Sequence, residues 1–390
     1  MKFIDLYAGI GGFRFALEEL GHECVFSAGI DKYAIETYEN NFPSHKAFFN
    51  MDSLQEMSNN EIEISIPDHD ILVAGFPCQP FSVGGKKLGF NTIDTKGQQF
   101  FNIAKILEIK KPKYILLENV FFLTKHNNGE TYKKMKYELE KLGYKIPDTP
   151  FVLSPHEIGI PQRRKRIFMY AIYNHEPIEH PIIKNDYKMK AIFRNGIKNQ
   201  EELFLDSYTE NVISAWEEFA QIVKSPNGNK IPDIWLDEMI GGILGNKDDK
   251  EWRIDYLKNM NKFYLFNKII IDKWVEKWNP LSFKKRERKF EWRAGDEKPN
   301  FKNCIIILRT SGVRIQKKPV FPTLVAMGQV PILFDTAHKK YRFLSLKELS
   351  DLQSFPKNFK NCANKNQAIK QFGNSVNIDV IKLISKHLLS

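Results

Sequence analysis

Short apolar runs alternate with segments of helical periodicity throughout the first 173 residues. Residues 3–7, 71–74 and 114–117 have the length and composition of buried strands, whereas residues 100–109 and 132–142 repeat their apolar side chains with the period of a helix. This alternation predicts an α/β fold with a doubly wound, mostly parallel sheet. In such a sheet ligands bind at the carboxyl ends of the strands, so residues just after each strand are the first candidates for a site.

The alternation stops near residue 174. The stretch to about residue 303 is aromatic and charged, and it contains all six tryptophans of the chain. Regular α/β character returns near residue 341. We therefore predict two domains: residues 1–173, to which residues 335–390 return, and a smaller, irregular domain over residues 174–334. Most of the tryptophans are expected to form the core of this second domain.

Composition limits the class of protein. Hydrophobic and charged residues make up 42% and 27% of the chain, as in ordinary soluble proteins, and no apolar stretch is long enough for a membrane span. Asp5 and Arg14 interrupt the amino-terminal apolar pattern, which excludes a signal peptide, so a cytoplasmic protein without membrane contact is expected. The four cysteines form no CxxC pair, which argues against a zinc module, and no metal is expected. The net charge of +11 fits a polyanionic partner, although lysine-rich proteins also arise without one.

A glycine-rich turn follows the first predicted strand. Gly9, Gly11 and Gly12 would let the backbone approach a ligand at the amino terminus of the next helix, and Asp31 stands at about the separation of an acid that holds a ribose. The spacing is not GxGxxG. The turn therefore permits either a nucleotide-like cofactor or a simple tight connection.

Two chemically reactive side chains follow two other predicted strands. Cys78 comes directly after Pro77, which stiffens the backbone, and this placement suits a nucleophile. Glu118 follows the strand at 114–117. The sheet would bring the thiol and the carboxyl group together. Taken singly, Cys78 could be a buried structural cysteine, and Glu118 a helix cap or a surface acid.

Two further segments carry polar side chains. In the run from Gln162 to Arg166, strand alternation places Arg164 and Arg166 on one face. A solvated basic face is the alternative interpretation. The segment QFGNSV, residues 371–376, contains Asn374 and is predicted to be a turn before the terminal helix.

Taken together and in this order, these motifs resemble the signature set of the DNA cytosine-5 methyltransferases. The matching segments are DLYAGIGGF, GFPCQPFS, ENV, QRRKR and QFGNSV. The resemblance covers residues 1–173 and about 305–390, and the middle of the chain corresponds to the variable target-recognition region. It implies a Rossmann-like methyltransferase fold, S-adenosylmethionine as methyl donor with S-adenosylhomocysteine as product, and double-stranded DNA as substrate.

The resemblance also implies roles for particular residues. Cys78 would be the nucleophile, Glu118 would contact the cytosine ring, and Arg166 would contact the base with Arg164 beside it. The residues assigned to the cofactor are Phe13, Gly9, Gly11, Asp31, Asp52, Pro77 and Asn374. Arg314 would belong to a motif that supports the recognition domain.

The sequence departs from the family pattern at three positions. The acid usually found two residues before Asp31 is Gly29, so ribose binding falls to Asp31. Lys96 replaces an arginine, and Gln99 replaces a residue that is often apolar. These changes concern cofactor affinity and loop closure.

The implied activity is methylation of carbon 5 of a flipped-out cytosine in a short DNA sequence. The enzyme would act as a monomer and protect DNA from a cognate restriction endonuclease. Three alternatives remain open: a cytosine-5 methyltransferase acting on transfer RNA, a nucleotide-dependent oxidoreductase, and a non-catalytic DNA-binding protein on a decayed methyltransferase scaffold. The long segment before the last motif argues against the first, and the retained Cys78, Glu118 and Arg166 argue against the third.

Overall fold

The computed structural model describes residues 1–44, 48–77, 99–184, 186–198, 200–225, 231–245, 248–295 and 299–390. The chain forms two compact units. The first unit contains Met1–Ile192, Pro322–Met327 and Leu349–Ser390, and the second contains Phe193–Phe321 and Gly328–Glu348. Among the helices that the structure describes, none combines the length and the apolar character needed to cross a bilayer.

The amino-terminal part of the first unit alternates strands and helices as predicted. Its strands are β1 (Lys2–Leu6), β2 (Glu23–Gly29), β3 (Phe49–Asn50), β4 (Ile71–Gly75), β5 (Tyr114–Val120), β6 (Phe151–Leu153), β7 (Gln162–Arg163) and β8 (Arg166–Ile172). Its helices are α1 (Gly12–Glu18), α2 (Lys32–Asn41), α3 (Asn59–Ser65), α4 (Gln99–Lys110) and α5 (Glu130–Lys141).

Seven of these strands form one sheet in the order β3-β2-β1-β4-β5-β8-β6. Strands β1 to β5 pair in parallel, and β8 runs antiparallel to β5 and β6. The strand order reverses between β1 and β4, which is where a doubly wound sheet opens a crevice at its carboxyl ends. The predicted α/β fold with a mostly parallel sheet is confirmed.

Helices cover the sheet because its strands are apolar on both faces. One face of the sheet carries a core that includes Ile4, Leu72 and Leu117, and the side chains of α3, α4 and α5 complete this core. Helix α1 packs against the carboxyl-terminal helix. Alternation along paired strands places Gly75 directly beside Glu118 in the register of β4 and β5.

A fully buried acid lies in β1. Asp5 is 0% exposed, and burial raises its pKa to about 8, although the charge of Arg14 opposes the shift. Arg14 also donates a hydrogen bond of 3.3 Å to the Tyr38 hydroxyl, which lies 2.5 Å from Ser27 Oγ. The amino-terminal polar residues therefore belong to the interior of the first unit.

The second unit is more regular than the sequence indicated. Its elements are α6 (Ser207–Ile222), β9 (Ile234–Trp235), α7 (Leu236–Ile240), α8 (Glu251–Trp278), β10 (Lys289–Arg293), β11 (Cys304–Arg309), β12 (Gly312–Lys317), β14 (Ile332–Asp335) and β15 (Lys340–Phe343). The sheet order is β15-β14-β11-β12-β10-β9. Two boundaries of the units fall within short elements, β13 (Phe321–Pro322) and α9 (Leu346–Leu352).

Aromatic side chains hold the second unit together. Trp216 and Trp274 are almost completely buried, and Trp216 stacks on Phe290 with ring centroids 4.8 Å apart. Trp292 is also buried, whereas Trp252 is 60% exposed. Trp235 and Trp278 are partly buried and pack against the same core. The expectation that most tryptophans form the core of this region is therefore confirmed.

The limits of the two units differ from the predicted boundaries at 173/174 and 334/335. Residues 174–192 remain with the first unit. Within this segment, His180 Nδ1 forms a hydrogen bond of 2.6 Å with the Tyr170 hydroxyl. The hairpin of β14 and β15 stays in the second unit because β14 pairs with β11.

The last part of the chain contains α10 (Lys365–Asn374) and α11 (Ile378–Leu388). Helix α9, which precedes α10, begins with a capping box, since Ser345 Oγ accepts from the Glu348 N–H at 3.3 Å and the Glu348 carboxylate accepts from the Ser345 N–H at 2.8 Å. The prediction that Gln371–Asn374 form a turn is wrong. These residues complete the last turn of α10, whose apolar residues Ala368 and Phe372 are buried.

Candidate active site

A cavity of about 350 Å³ opens at the carboxyl ends of β2, β1, β4 and β5. Gly29 and Gly75 end β2 and β4, and Gly9 lies in the turn after β1. The segment from Lys370 to Val376 closes one side of the cavity. The described residues that line it are Tyr7, Ala8, Gly9, Ile10, Gly12, Phe13, Gly29, Ile30, Asp31, Ala34, Ile35, Phe48, Gly75, Phe76, Pro77, Glu118, Asn119, Val120, Arg164, Arg166, Lys370, Gln371, Gly373, Asn374, Ser375 and Val376. This is where the strand order predicts a ligand site.

Gly75 leaves open the space between three groups of the cavity. A Cβ atom at this position would lie 3.4 Å from Phe13 Cε2, 3.7 Å from Glu118 Oε2 and 3.8 Å from Val376 Cγ1. The aromatic ring, the carboxyl group and the carboxyl-terminal segment therefore converge on one point. A side chain here would fill that point, so glycine keeps it accessible to a ligand.

Glu118 lies within β5 and is held by an arginine from β8. Arg166 Nε lies 3.0 Å from Glu118 Oε1, and both side chains are largely buried. Burial raises the pKa of Glu118 above its ordinary value, although the charges of Arg166 and Arg164 oppose the shift. The result is a carboxyl group that can be protonated nearer neutral pH than an exposed one.

Arg164 is 2% exposed and supports the carboxyl-terminal wall of the cavity. Its guanidinium donates hydrogen bonds to the carbonyl oxygens of Leu324 at 3.0 Å, Gly373 at 2.9 Å and Ser375 at 2.7 Å. One side chain thus connects three chain segments that are far apart in sequence. It also brings a positive charge to the cavity, as Arg166 does.

The backbone before Cys78 is fixed by the neighbouring strand. Asn119 Nδ2 donates to the Phe76 carbonyl at 3.4 Å, and its Oδ1 accepts from the Val120 N–H at 2.8 Å. This contact holds Pro77 at the cavity. Cys78 itself and Lys96 lie outside the described residues.

Asp31 caps the amino terminus of α2 at the opposite end of the cavity. Its Oδ1 accepts from the backbone N–H groups of Tyr33 and Ala34, each at 3.1 Å, and its Oδ2 lies 2.8 Å from Lys370 Nζ. Burial by itself would raise the pKa of the Asp31 carboxyl, but the hydrogen bonds from Lys370 and the backbone outweigh it and hold the pKa below its ordinary value.

The structure brings most of the predicted site residues together. The cavity is lined by Glu118, Arg164, Arg166, Phe13, Gly9, Asp31, Pro77 and Asn374. Gly11 and Asp52 do not line it. Gly11 caps α1 with φ of 85°, and a Cβ there would lie 2.5 Å from the Phe42 ring. Asp52 is exposed in a short 3₁₀ helix at Met51–Gln55.

Several cavity residues were not identified from the sequence. Tyr7 has a φ of 53°, and its hydroxyl donates to the backbone carbonyl of Gln99 at 3.1 Å and also to the Gln99 side-chain oxygen Oε1, so the polar Gln99 supports the glycine turn. The DLYAG motif could have pointed to Tyr7. Nothing in the sequence pattern marked Phe48 or Lys370, which reach the cavity only through folding.

Several basic residues of the second unit form ion pairs with acidic residues of the same unit. Arg314 binds Glu291 through Nε at 3.0 Å and Nη2 at 2.7 Å. Within the basic run 284–289, Glu287 is buried and accepts from the Tyr208 hydroxyl at 2.6 Å, and Arg288 lies 3.1 Å from Asp237. Part of this basic run therefore stabilises the second unit.

Comparison with known proteins places this geometry in a family. The Type II methyltransferase M.DsaV of Dactylococcopsis salina is 32% identical over 395 residues, which cover 100% of this chain and 86% of that protein. The Type II methyltransferase M.NgoBI of Neisseria gonorrhoeae is 40% identical over 243 residues, or 62% of this chain and 70% of that protein.

Solved structures agree on the fold. A mutant of DNMT2 from Spodoptera frugiperda superposes with a TM-score of 0.57 at 18% identity, covering 100% of this chain and 99% of the other. Residues 1–390 match the family described as C-5 cytosine-specific DNA methylase. The chain is therefore a member of the C-5 cytosine-specific DNA methylase family.

Proposed function

We propose that this protein transfers a methyl group from S-adenosylmethionine to carbon 5 of a flipped-out cytosine in a short sequence of double-stranded DNA, through a covalent Cys78 adduct. The observation that carries the proposal is the convergence of Phe13 and Glu118 on the glycine-cleared space at Gly75, with Arg166 held against the Glu118 carboxylate. Pro77 lines the same cavity and precedes Cys78 directly in the sequence.

The cavity is suited to an elongated cofactor. It extends along the ends of four adjacent strands, about 14 Å at the usual spacing between strands, from Asp31 at the end of β2 to Glu118 on β5. When bound, S-adenosylmethionine supplies an electrophilic methyl group on a sulfonium. Asp31 would hold its hydroxyl groups, and Phe13 and Asn374 would border it.

Activation of the base falls to the protein side chains. Carbon 5 of cytosine is a poor nucleophile, and addition of the Cys78 thiolate to carbon 6 makes carbon 5 nucleophilic. Glu118 would hold or donate a proton at ring nitrogen 3, which suits a carboxyl group whose pKa is raised by burial. After methylation the carbon 5 proton must leave, and the sulfur is then eliminated. Arg166 would contact the base, and Arg164 would add fixed positive charge.

The substrate is proposed to be duplex DNA, from which the target nucleotide is rotated out at a cost of a few kcal/mol. The net charge of +11 favours a polyanion. The names of the relatives support a role in a Type II restriction-modification system with a separate endonuclease. We further propose that the protein is a cytoplasmic monomer.

Methyl transfer can be measured with purified protein, labelled S-adenosylmethionine and duplex DNA. We expect label in DNA at one short sequence, located by bisulfite sequencing. Cys78→Ala should abolish turnover while DNA binding persists. Cys362→Ala is the matched control, since this buried thiol does not line the cavity, and it should retain turnover. Full activity of Cys78→Ala would exclude the covalent route.

Transfer RNA is the competing substrate within the same chemistry. Label that appears in transfer RNA and not in DNA would refute the proposed substrate. DNA affinity should also fall steeply with salt because phosphate contacts release counterions, and a flat response would argue against a duplex substrate.

A further inference from the structure

Two lysines and an aromatic ring lie at the rim of the cavity, just beyond the residues that line it. The last register pair of β5 and β8 is Val120 with Arg166, and both of these residues line the cavity. Phe121 follows this pair on one strand, and Lys165 precedes it on the other. Because β8 runs antiparallel to β5, both residues leave the sheet at the edge where the cavity opens.

The Phe121 ring holds two ammonium groups. Lys125 Nζ lies 5.4 Å from the centroid of this ring, and Lys165 Nζ lies 5.8 Å from it. At such distances the negative face of an aromatic ring attracts a cation. Lys125 follows the short 3₁₀ helix Phe121–Thr124, whereas Lys165 belongs to the segment before β8. Two like charges from separate segments are therefore held close together, and their repulsion would be relieved by an anion between them.

The backbone that carries these side chains is fixed on both strands. Thr124 Oγ1 donates to the Phe121 carbonyl at 2.9 Å. On the other strand, Arg166 Nη1 donates to the Lys165 carbonyl at 2.9 Å, and Arg166 Nε lies 3.0 Å from Glu118 Oε1. The same arginine thus connects the rim to the carboxyl group of the site.

No carboxylate in the described part of the chain forms an ion pair with either lysine of the rim. Lys125 and Lys165 are both exposed, and their recorded contacts are with the Phe121 ring. Other exposed lysines of the first unit have acidic partners, as Lys133 has in Glu130 at 2.9 Å. The rim therefore offers two cations that the described residues leave available to an external anion.

The charges around a nearby histidine agree with a positive rim. Burial lowers the pKa of His156, and the charges of Arg163 and Lys165 lower it further, although Glu157 opposes them. Arg163 is exposed on the strand that precedes Lys165. An anion that approaches this edge of the sheet therefore meets a positive potential.

The distance from Glu118 to the rim fits the size of a nucleotide. Phe121 lies three residues beyond Glu118, or about 10 Å at the rise of a strand. With a cytosine ring at Glu118, the sugar extends toward the open edge and a phosphate comes to lie near the rim. Lysine ammonium groups bind phosphate oxygens of the DNA backbone as point charges.

We propose that Lys125 and Lys165, held on the Phe121 ring, bind a backbone phosphate next to the flipped cytosine. The inference rests on the proposed function and adds to it the contact that holds the extrahelical nucleotide at the mouth of the cavity. A phosphate contact carries no sequence information, so it positions the nucleotide without selecting the target sequence.

The salt dependence of DNA binding tests the two charges. A fluorescent duplex that contains the methylated sequence is titrated between about 50 and 200 mM salt. In Lys125→Gln/Lys165→Gln the slope of log K against log salt should fall by about 1 to 2, so that affinity declines about four- to sixteenfold less over this range. Lys113→Gln is the matched control, because Lys113 Nζ lies 5.0 Å from the Tyr114 ring at the opposite end of β5, and it should leave the slope unchanged.

Neutral linkages locate the phosphate. Two duplexes each carry one methylphosphonate, on the 5′ or the 3′ side of the target cytosine. One of them should bind the unchanged protein and Lys113→Gln more weakly than the unmodified duplex. The same linkage should cost the double lysine variant little, because its charged partners are already absent. The contact is refuted if neither linkage weakens the unchanged protein, or if the loss is as large in the double variant.

Phe121→Leu tests whether the ring holds the lysines. Loss of the ring should weaken duplex binding by about two- to fivefold. In the double lysine variant the same substitution should have no further effect, since no ammonium group remains to be held. An equal loss in both backgrounds would refute this role of the ring.

Binding of S-adenosylhomocysteine controls for folding. None of the three residues lines the cavity, so every variant should bind this ligand as the unchanged protein does. If the unchanged protein neither methylates nor binds duplex DNA, the proposed function is wrong. If it does both, and the double lysine variant has the same salt slope as Lys113→Gln, the proposed function stands and the phosphate contact is refuted.

Discussion

Replacing Arg164 by lysine separates two roles that the sequence alone could not distinguish. The resemblance implies that Arg164 lies beside Arg166, next to the cytosine base. In the structure, the Arg164 guanidinium donates to the carbonyls of Leu324, Gly373 and Ser375. Lysine keeps the positive charge but has a single ammonium group in place of the planar fork. If Arg164 acts through its hydrogen bonds, Arg164→Lys should strongly lower the stability of the protein although it conserves the charge.

The expected magnitude follows from the number of bonds. An ammonium group at this position can satisfy about one of the three carbonyls, so about two charge-assisted hydrogen bonds are lost. Each is worth roughly 1.5–3 kcal/mol when a charged donor is involved, which gives a loss of about 3–6 kcal/mol. That is a large fraction of the roughly 5–15 kcal/mol that stabilises an ordinary domain. The carbonyls of residues 373 and 375 border the cavity, so cofactor affinity should fall as well.

Urea unfolding of Arg164→Lys beside Arg163→Lys is the appropriate assay. Arg163 is exposed and adjacent, and its lysine variant should unfold within about 0.5 kcal/mol of the unchanged protein. The KM for S-adenosylmethionine should rise in Arg164→Lys. Equal stability of the two variants would refute the positioning role. An unchanged KM combined with a displaced pH profile of kcat would instead assign Arg164 an electrostatic effect on the thiol.

Three further outcomes are expected. Because burial raises the pKa of Asp5 to about 8 from 3.8, folding takes up a proton between these values, and stability should fall as pH rises from about 4 to 8 by up to about 1.4 kcal/mol per unit. Urea unfolding of Asp5→Asn at several pH values between about 4 and 8 should show no such fall. If the stability of this variant falls with pH as steeply as that of the unchanged protein, the assignment to Asp5 is contradicted. Glu118→Gln should lower kcat by about 10²-fold or more, and in the unchanged protein kcat should decline at alkaline pH as Glu118, whose pKa burial raises, loses its proton; a pH-independent kcat speaks against this. Gly373→Ala would place Cβ 2.5 Å from the Ala326 nitrogen and should lower stability by about 1–3 kcal/mol, seen as a reduced melting temperature; an unchanged one would show that the backbone can yield.

Hydrophobic periodicity was enough to predict the first sheet. The runs at 71–74 and 114–117 became β4 and β5 with small extensions, because parallel strands buried on both faces must be apolar. The second unit escaped prediction since its strands are short and its order depends on aromatic stacking between distant residues such as Trp216 and Phe290. The same limit explains α10, where helix and turn residues at 371–374 look alike in sequence.

Motifs located Glu118, Arg166 and Phe13 because Glu118 and Arg166 lie near strand ends and Phe13 lies in the first turn of α1, just after the glycine turn. Phe48 and Lys370 could not be found in this way. Phe48 comes to Gly29 through the pairing of β2 with β3, and Lys370 meets Asp31 across 339 positions of sequence. Contacts of this kind depend on three-dimensional packing and leave no local pattern.

The discontinuity of the first unit has a consequence for biosynthesis. Residues 370–376 border the cavity, yet nearly all of the chain, including the whole second unit, must be translated before they emerge. A nascent chain therefore holds Pro77 and the glycine turn without the carboxyl-terminal wall of the cavity. Methylation competence should appear abruptly, only when the final helices dock, and early fragments should be inert toward DNA.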